Sequence, residues 1–270
     1  MKKTAVSLFF LLTYGITWGA SWLNTSLDTI PALTILGTIL ILLGPALAAI
    51  IAVFFEQGKN GIPNLLKPIK KWNVGIGWWI FVFAYPIAMH LTILVFNWMF
   101  TREAPRFFHA EGVPEGHPAV ILIGLILVNL VRGFGEETGW RGFALPRLQT
   151  RWSALTSSFV LGLVWALWHF HAANISILGK FPVLYVLIVI PATIIFTWLY
   201  NNTDGSLLIA IVFHMMLDVA EYIVPLGLYE GDIIKLTINA IMNWIMAILL
   251  ITLFGWKYLS RTLPDFLKEP

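Results

Sequence analysis

Eight long apolar runs leave this chain little choice but a membrane fold. They cover about residues 4–26, 32–55, 75–100, 118–145, 153–173, 182–200, 205–224 and 237–257, each near or above the roughly 18–20 residues that cross a lipid core. In lipid, every backbone N–H and C=O must find its partner inside the protein, so such runs are helices. The expected fold is all-α: a polytopic bundle of about eight transmembrane helices. Apolar residues make up 59% of the chain, and no remaining stretch could fold alone in water. A single membrane domain over residues 1–270 follows. The first run, after Lys2 and Lys3 and ending in Gly19-Ala20-Ser21, has a signal-peptide flavour. Its length, and the flanking Trp18 and Trp22, read instead as a retained span with an interfacial aromatic belt.

Orientation follows from the basic residues. With the N-terminus inside, the inner segments hold Lys2, Lys3, Lys59, Lys67, Lys70, Lys71, Arg147, Arg151, Lys257, Arg261 and Lys268. The outer segments hold Arg102, Arg106, Lys180 and Lys235, and collect the acids Asp28, Glu103, Glu111, Glu115, Glu230 and Asp232. Eleven against four places both termini in the cytoplasm, which requires an even number of crossings. The segment Asn60 to Trp72 is either a basic amphipathic helix on the inner leaflet or a solvated connector. Asn201-Asn202 and Asp204-Gly205 read as a tight turn on the same face. No basic tract interleaved with aromatics suggests nucleic acid, and the absence of cysteine excludes disulfides and thiolate metal sites.

Charge is scarce, at 11% of residues, so charge within the spans carries meaning. An ionisable group in the hydrocarbon costs at least about 2.5–3.5 kcal/mol at the helix centre, and marks a functional site by default. Ten such residues occur: His90, Arg132, Glu136, Glu137, Arg141, His169, His171, His214, Asp218 and Glu221. Nine of the ten fall in the fourth, fifth and seventh runs, which argues for one polar pocket among a few helices. Residues four apart share a helix face, and neighbours diverge by about 100°. Glu137 and Arg141 therefore form a pair that pins the helix, while Glu136 points elsewhere, towards a cavity with Arg132 above it. Trp165 stacks beneath His169. Asp218 shares a face with His214 and can orient its imidazole. His171 diverges from His169 and reads as outer-interface structure. His90 reads as a satisfied core histidine, Arg132 as structural and Glu221 as interfacial. At 1.5 Å per residue, Glu136 lies about 27 Å from the outer start of its run, deeper than His214 is from the opposite side. A shared pocket then needs tilt, unequal starts, or a fourth span that continues through Pro146.

The chain has no Gly-x-Ser-x-Gly elbow. It has no His-Glu-x-x-His zinc helix. Asp218 is the one aspartate inside a span, so a two-aspartate protease is unsupported. A carboxylate pair, two histidines and a further acid suit general-base activation of water with polar groups around a developing oxyanion. The same set would also suit a divalent metal.

Three motifs carry a resemblance: Glu136-Glu137-x-x-x-Arg141 extended by Trp140-Arg141-Gly142-Phe143, Trp165-x-x-x-His169, and His214-x-x-x-Asp218. In this order, on three separate spans over about residues 118–224, they resemble the CAAX protease and bacteriocin-processing (Abi) family, which includes the type II CAAX prenyl endopeptidases. The resemblance implies an intramembrane endopeptidase. Glu136 would activate water, Glu137 and Arg141 would support it, His169 would position the water, and His214 with Asp218 would stabilise the oxyanion. Many members have Asn where this chain has Asp218, and an ionised aspartate has no hydrogen to donate. Asp218 is then either protonated or acts through His214. No tightly bound metal is expected, since no close ligand pair is present; a Zn²⁺-dependent variant would use Glu136, His169 and His214. The implied partners are the bilayer of the cell membrane and a peptide or membrane-protein substrate, with a C-terminal or lipid-modified tail. Two other functions use similar residues: a bacteriocin-immunity or regulatory binder of the same fold, and an ion-coupled transporter. The transporter is disfavoured by the lack of inverted repeats.

Overall fold

The computed structural model describes residues 3–26, 30–102, 107–108, 116–172, 174–175, 180–225 and 232–268. Lys2, Asp28, Glu103, Arg106, Glu111, Glu115 and Glu230, counted above for orientation, lie outside these. The described residues form helices and no strand. Their order is α1 (Lys3–Ser26), α2 (Pro31–Gln57), α3 (Gly61–Leu66), α4 (Ile76–Thr101), α5 (Pro118–Glu137), α6 (Leu145–Gln149), α7 (Ala154–Trp168), α8 (Pro182–Asn202), α9 (Leu207–Ile223) and α10 (Ile233–Phe254). Local chemistry sets the starts. Proline stands in the first helical turn of α2, α5 and α8, where its missing N–H costs nothing. Ser153, Ser206 and Asp232 cap α7, α9 and α10 by accepting from backbone N–H groups of the first turn.

Among the described residues six helices are long and apolar enough to cross a membrane, and the chain is an integral multi-pass membrane protein. The fifth and seventh expected spans differ. They form α7 with 15 residues and α9 with 17, about 22 and 26 Å long and shorter than a ~30 Å hydrocarbon core. The reason lies in their polar ends: α7 stops at Trp168, and a tightened turn (His169 N–H to Ala166 O, 3.2 Å) carries His169. Most of α9 is buried around its whole circumference, as suits a helix at the bundle centre. Segment 60–72 forms the short helix α3 and a 3₁₀ turn at Lys67–Lys70 rather than one amphipathic helix.

The fourth run continues past its α-helical part. A π-helical stretch, Thr138–Ala144, joins α5 to α6, and the composite runs from Pro118 to Gln149. Glu136 therefore lies inside a long element instead of near its end, and Pro146 sits in the first turn of α6. π-Helical turns are rare and recur at functional sites.

This element packs tightly because glycine removes its side chains from the contact. A Cβ on Gly139 would meet Pro45 Cβ at 2.6 Å and Pro45 O at 2.7 Å; one on Gly133 would meet Ile211 O at 2.8 Å. Gly135 approaches the Leu42 carbonyl in the same way. Backbone-to-backbone approach through small residues is the usual packing mode of membrane helices. Gly135→Ala forces the α2 backbone to shift and is expected to cost about 3 kcal/mol, the upper end for overpacking. Gly15→Ala, where the Cβ would meet nothing within 4 Å, is the control, expected neutral or slightly stabilising. Thermal unfolding in detergent reads both, and equal behaviour of the two variants would contradict the packing argument.

At the other end of these helices a polar belt ties the connections together. Arg147 bonds Glu56 (Nη2–Oε2 2.6 Å), locking α6 to the end of α2. The expected turn after α8 is present, with Asp204 and Gly205 both at positive φ (49° and 75°). Lys71 donates to the Asp204 carbonyl and carboxylate at 2.7 and 2.8 Å. Asn201 and Asn202 donate to the carbonyls of Tyr258 and Leu259. Phe9 of α1 stacks on Phe143, and Ala154 N–H bonds Lys257 O, so the start of α1 and the end of α10 lie towards the same end of the bundle.

Candidate active site

Four helical elements converge on Glu136 and Glu137, and the two neighbours have separate surroundings, as helical phase requires. Glu137 is fully buried. Its Oε1 accepts from Arg141 Nη1–H at 2.8 Å and from His214 Nδ1–H at 2.7 Å. Arg141 is buried too, its guanidinium between the faces of Trp165 (4.4 Å) and Phe196 (4.0 Å). Two aromatic faces and a carboxylate replace the water that this cation gives up.

Glu136 has a different environment. Its Oε2 accepts from the indole Nε1–H of Trp165 at 2.8 Å. Its Oε1 faces His214 Nε2 at 3.9 Å, too far for a direct hydrogen bond. His214 Nε2 is also 3.9 Å from Asp218 Oδ2, so one imidazole nitrogen looks onto two carboxylates. The ring is fixed by Glu137 on its other nitrogen. The expectation that Asp218 orients the imidazole is therefore corrected: Glu137 on α5 does so, because it is the nearer acid.

Asp218 has another partner, Arg132, with Nη1–Oδ2 at 3.2 Å. Arg132 stands one turn before Glu136 on α5 but reaches across to α9. This pair is the open side of the site. The Arg132 and Asp218 side chains are 35% and 28% exposed, against 5% for Glu136 and 0% for Glu137 and Arg141. Charged groups at membrane depth as a rule face the bundle interior or a water-filled cavity, and this pair is the most exposed part of the site.

His169 closes the far wall. Its Nδ1–H donates to Trp165 O at 2.8 Å; a carbonyl can only accept, so in the neutral ring Nε2 keeps the lone pair. Its ring packs at a tilt on Trp165 (5.6 Å) and edge-on to Tyr185 (5.5 Å), within electrostatic reach of Glu136 and His214.

The remaining intramembrane groups sit apart from this centre. His171 Nδ1 lies 2.9 Å from Ser21 Oγ, in a buried contact with α1. His90 donates to Val224 O at 3.0 Å, as a satisfied core histidine does. Glu221, expected at the interface, is instead buried 3.8 Å from His90. Three contacts escaped the sequence reading: Trp165 to Glu136, Glu137 to His214 and Arg132 to Asp218. Only the first left a signal, since a buried tryptophan usually takes an acceptor for its N–H, although the buried indoles of Trp140, Trp168 and Trp198 have none.

A divalent cation here would have to draw on atoms that are already engaged. Glu136 Oε2 is occupied by Trp165, His214 Nδ1 by Glu137, and the remaining Glu136 and His214 atoms stand 3.9 Å apart. Among the described residues no three His, Asp or Glu side chains converge as a cation site. What the arrangement offers is a buried, fixed carboxylate with one oxygen turned towards an imidazole, beside a partly exposed ion pair.

Residues 118–220 match the family model described as type II CAAX prenyl endopeptidase Rce1-like. CAAX prenyl protease 2 of Methanococcus maripaludis is 31% identical over 106 residues. That alignment covers 36% of this chain and 39% of the archaeal protein, so the chain spans well under half the length of the curated relative it matches. Arg132, Glu136, Glu137, Arg141, Trp165, His169, His214 and Asp218 all lie within the matched segment.

Proposed function

We propose that the chain is a member of the CAAX protease family, whose model residues 118–220 match, and that it is an intramembrane endopeptidase in which Glu136 activates the attacking water. The observation that carries this reading is the asymmetry of the glutamate pair. Glu137 is spent on Arg141 and His214, whereas Glu136 is held by Trp165 through one oxygen and turns the other towards His214 Nε2, 3.9 Å away, with no direct hydrogen bond to it.

The chemistry then runs through residues already in position. A water on the open side donates one hydrogen to Glu136 Oε1 and directs the other towards His169 Nε2. Glu136 removes a proton as the water oxygen adds to the peptide carbonyl. The carbonyl oxygen becomes negative next to His214 Nε2. The five fixed charges (Glu136, Glu137, Asp218, Arg132 and Arg141) sum to minus one, so an imidazolium at His214 brings the site to neutrality and supplies an N–H to that oxygen. Glu136 returns its proton to the leaving amine, and the C–N bond breaks. No step needs a metal, and we assign none. The substrate is a peptide or membrane-protein tail entering from the side of the Arg132–Asp218 pair, in the cytoplasmic membrane, with both chain ends of the protease in the cytoplasm.

The test uses the purified chain in detergent with a fluorogenic peptide ending in a farnesylated C-a-a-X sequence, and the same peptide without the lipid. Hydrolysis of the lipidated peptide, with fragments whose masses sum to substrate plus one water, is the expected result. A folded protein that cleaves neither peptide would sink the reading.

A further inference from the structure

His169 stands on the turn that ends α7, and the end of a helix leaves carbonyls to be met. The last four C=O groups of an α-helix have no partner within it. In α7 these belong to Trp165, Ala166, Leu167 and Trp168. Three are met by the turn itself. His169 Nδ1–H donates to Trp165 O at 2.8 Å, His169 N–H to Ala166 O at 3.2 Å and Phe170 N–H to Leu167 O at 3.1 Å. The fourth is met from another helix: Trp18 of α1 donates its indole Nε1–H to Trp168 O at 2.9 Å. The Trp168 C=O and the His169 N–H belong to one planar peptide unit. That plane is held on both edges, by α1 through its oxygen and by Ala166 through its N–H. Two more contacts reach α7 and its turn from α1. Tyr14 O–H donates to Val164 O at 2.7 Å, and Ser21 Oγ lies 2.9 Å from His171 Nδ1. Tyr14, Trp18 and Ser21 are four and three residues apart, so they share one face of α1. All of α1 lies outside residues 118–220, the segment that matches the family model.

We propose that Trp18 is a positioning residue for the reaction: by holding the Trp168 carbonyl, it fixes the peptide plane from which His169 directs Nε2 at the attacking water. The inference rests on the endopeptidase reading above. Without the indole N–H, the Trp168 carbonyl is left unpaired or turns towards another donor. The His169 N–H turns with it, because the two form one rigid plane. Tyr14 makes a bond of the same kind with a different consequence. Val164 precedes the last four residues of α7, so its carbonyl already has a partner within the helix, and the Tyr14 bond docks α1 without setting His169. On this reading α1 completes the site as well as crossing the membrane.

Initial rates on the lipidated peptide test this, together with thermal unfolding and amide hydrogen exchange of the full chain in detergent. Trp18→Phe is expected to lower kcat about tenfold with KM within about threefold of wild type, since a misplaced group costs rate before it costs binding. Amide exchange at His169 should quicken about tenfold, as one hydrogen bond fewer holds its plane. The exposed indole is replaced by another apolar ring, so the unfolding temperature should move by only a few degrees. Tyr14→Phe is the control, expected to keep kcat within about twofold of wild type and exchange at His169 unchanged. Placing 3-benzothienylalanine at residue 18 keeps the bicyclic ring and removes the N–H alone. It is expected to match Trp18→Phe in rate and exchange, and it decides the question if Trp18→Phe does not fold. Full activity with 3-benzothienylalanine overturns the proposal, because the ring and not its N–H would then matter. So does a loss in KM alone, an equal loss in Tyr14→Phe, or a slower rate with exchange at His169 unchanged. Wild-type protein that cleaves nothing fails the endopeptidase reading and takes this one with it. Active wild type with fully active Trp18→Phe fails this one alone.

Discussion

Glu136→Gln should leave a folded protein that turns over peptide at least about 10³-fold more slowly, within the range of a lost general base. The substitution is nearly isosteric. The glutamine carbonyl still accepts from Trp165 Nε1–H, the bond that fixes Glu136 at 2.8 Å, so local geometry should survive. The basic oxygen that faces His214 is what disappears. Removing a buried negative charge also leaves Glu137 to balance Arg141, as it already does. Unfolding temperature should therefore move by only a few degrees, while kcat collapses and KM changes little. The pairing of these two readouts matters. A purely structural glutamate would show the reverse, with activity falling only as far as stability does. Turnover within tenfold of wild type would remove Glu136 from the chemistry altogether.

Much of this arrangement was legible before the structure, for physical reasons that differ between its parts. Lipid demands length and apolarity of whatever crosses it, so α1, α2, α4, α8 and α10 follow the hydropathy to within a few residues. Helical periodicity pairs Glu137 with Arg141, because residues four apart on one helix need no knowledge of any other. The partners across helices were beyond that argument. Glu137 binds His214 and Arg132 binds Asp218 only because Gly133 and Gly135 let α5 approach α9 and α2 at backbone distance. The glycines were visible, but their contact partners were not. The π-helical stretch left no periodic signature of its own, and it carries the fourth run on beyond Glu137, through Pro146 to Gln149. The early end of α7 was missed because Phe170 to Ala173 remain apolar enough to prolong the run; the turn that ends the helix is a tertiary choice, and it brings His169 onto Trp165.

The second large effect belongs to the other glutamate, and it is one of stability. Glu137→Leu should destabilise the protein by about 3–5 kcal/mol, the cost of breaking a buried ion pair from one side. That is on the order of 10 °C in unfolding temperature for a chain of this size. Glu137 is fully buried and its Oε1 serves two donors, Arg141 at 2.8 Å and His214 at 2.7 Å. Its loss strands a guanidinium between Trp165 and Phe196 and lets the His214 ring turn. Arg141→Met should cost a comparable amount, by leaving the carboxylate without its cation. The double variant Glu137→Leu/Arg141→Met is the informative case. It removes both charges and fills the space with apolar atoms, so it should be more stable than either single variant. Double-variant cycles of this kind separate the worth of a pair from the penalty of an orphaned charge. Stability regained in the double variant should not bring activity back, because His214 would still lack the acceptor that holds its Nδ1–H. Strict additivity of the two single losses would show instead that Glu137 and Arg141 act independently, and that the helix is pinned by its aromatic contacts alone.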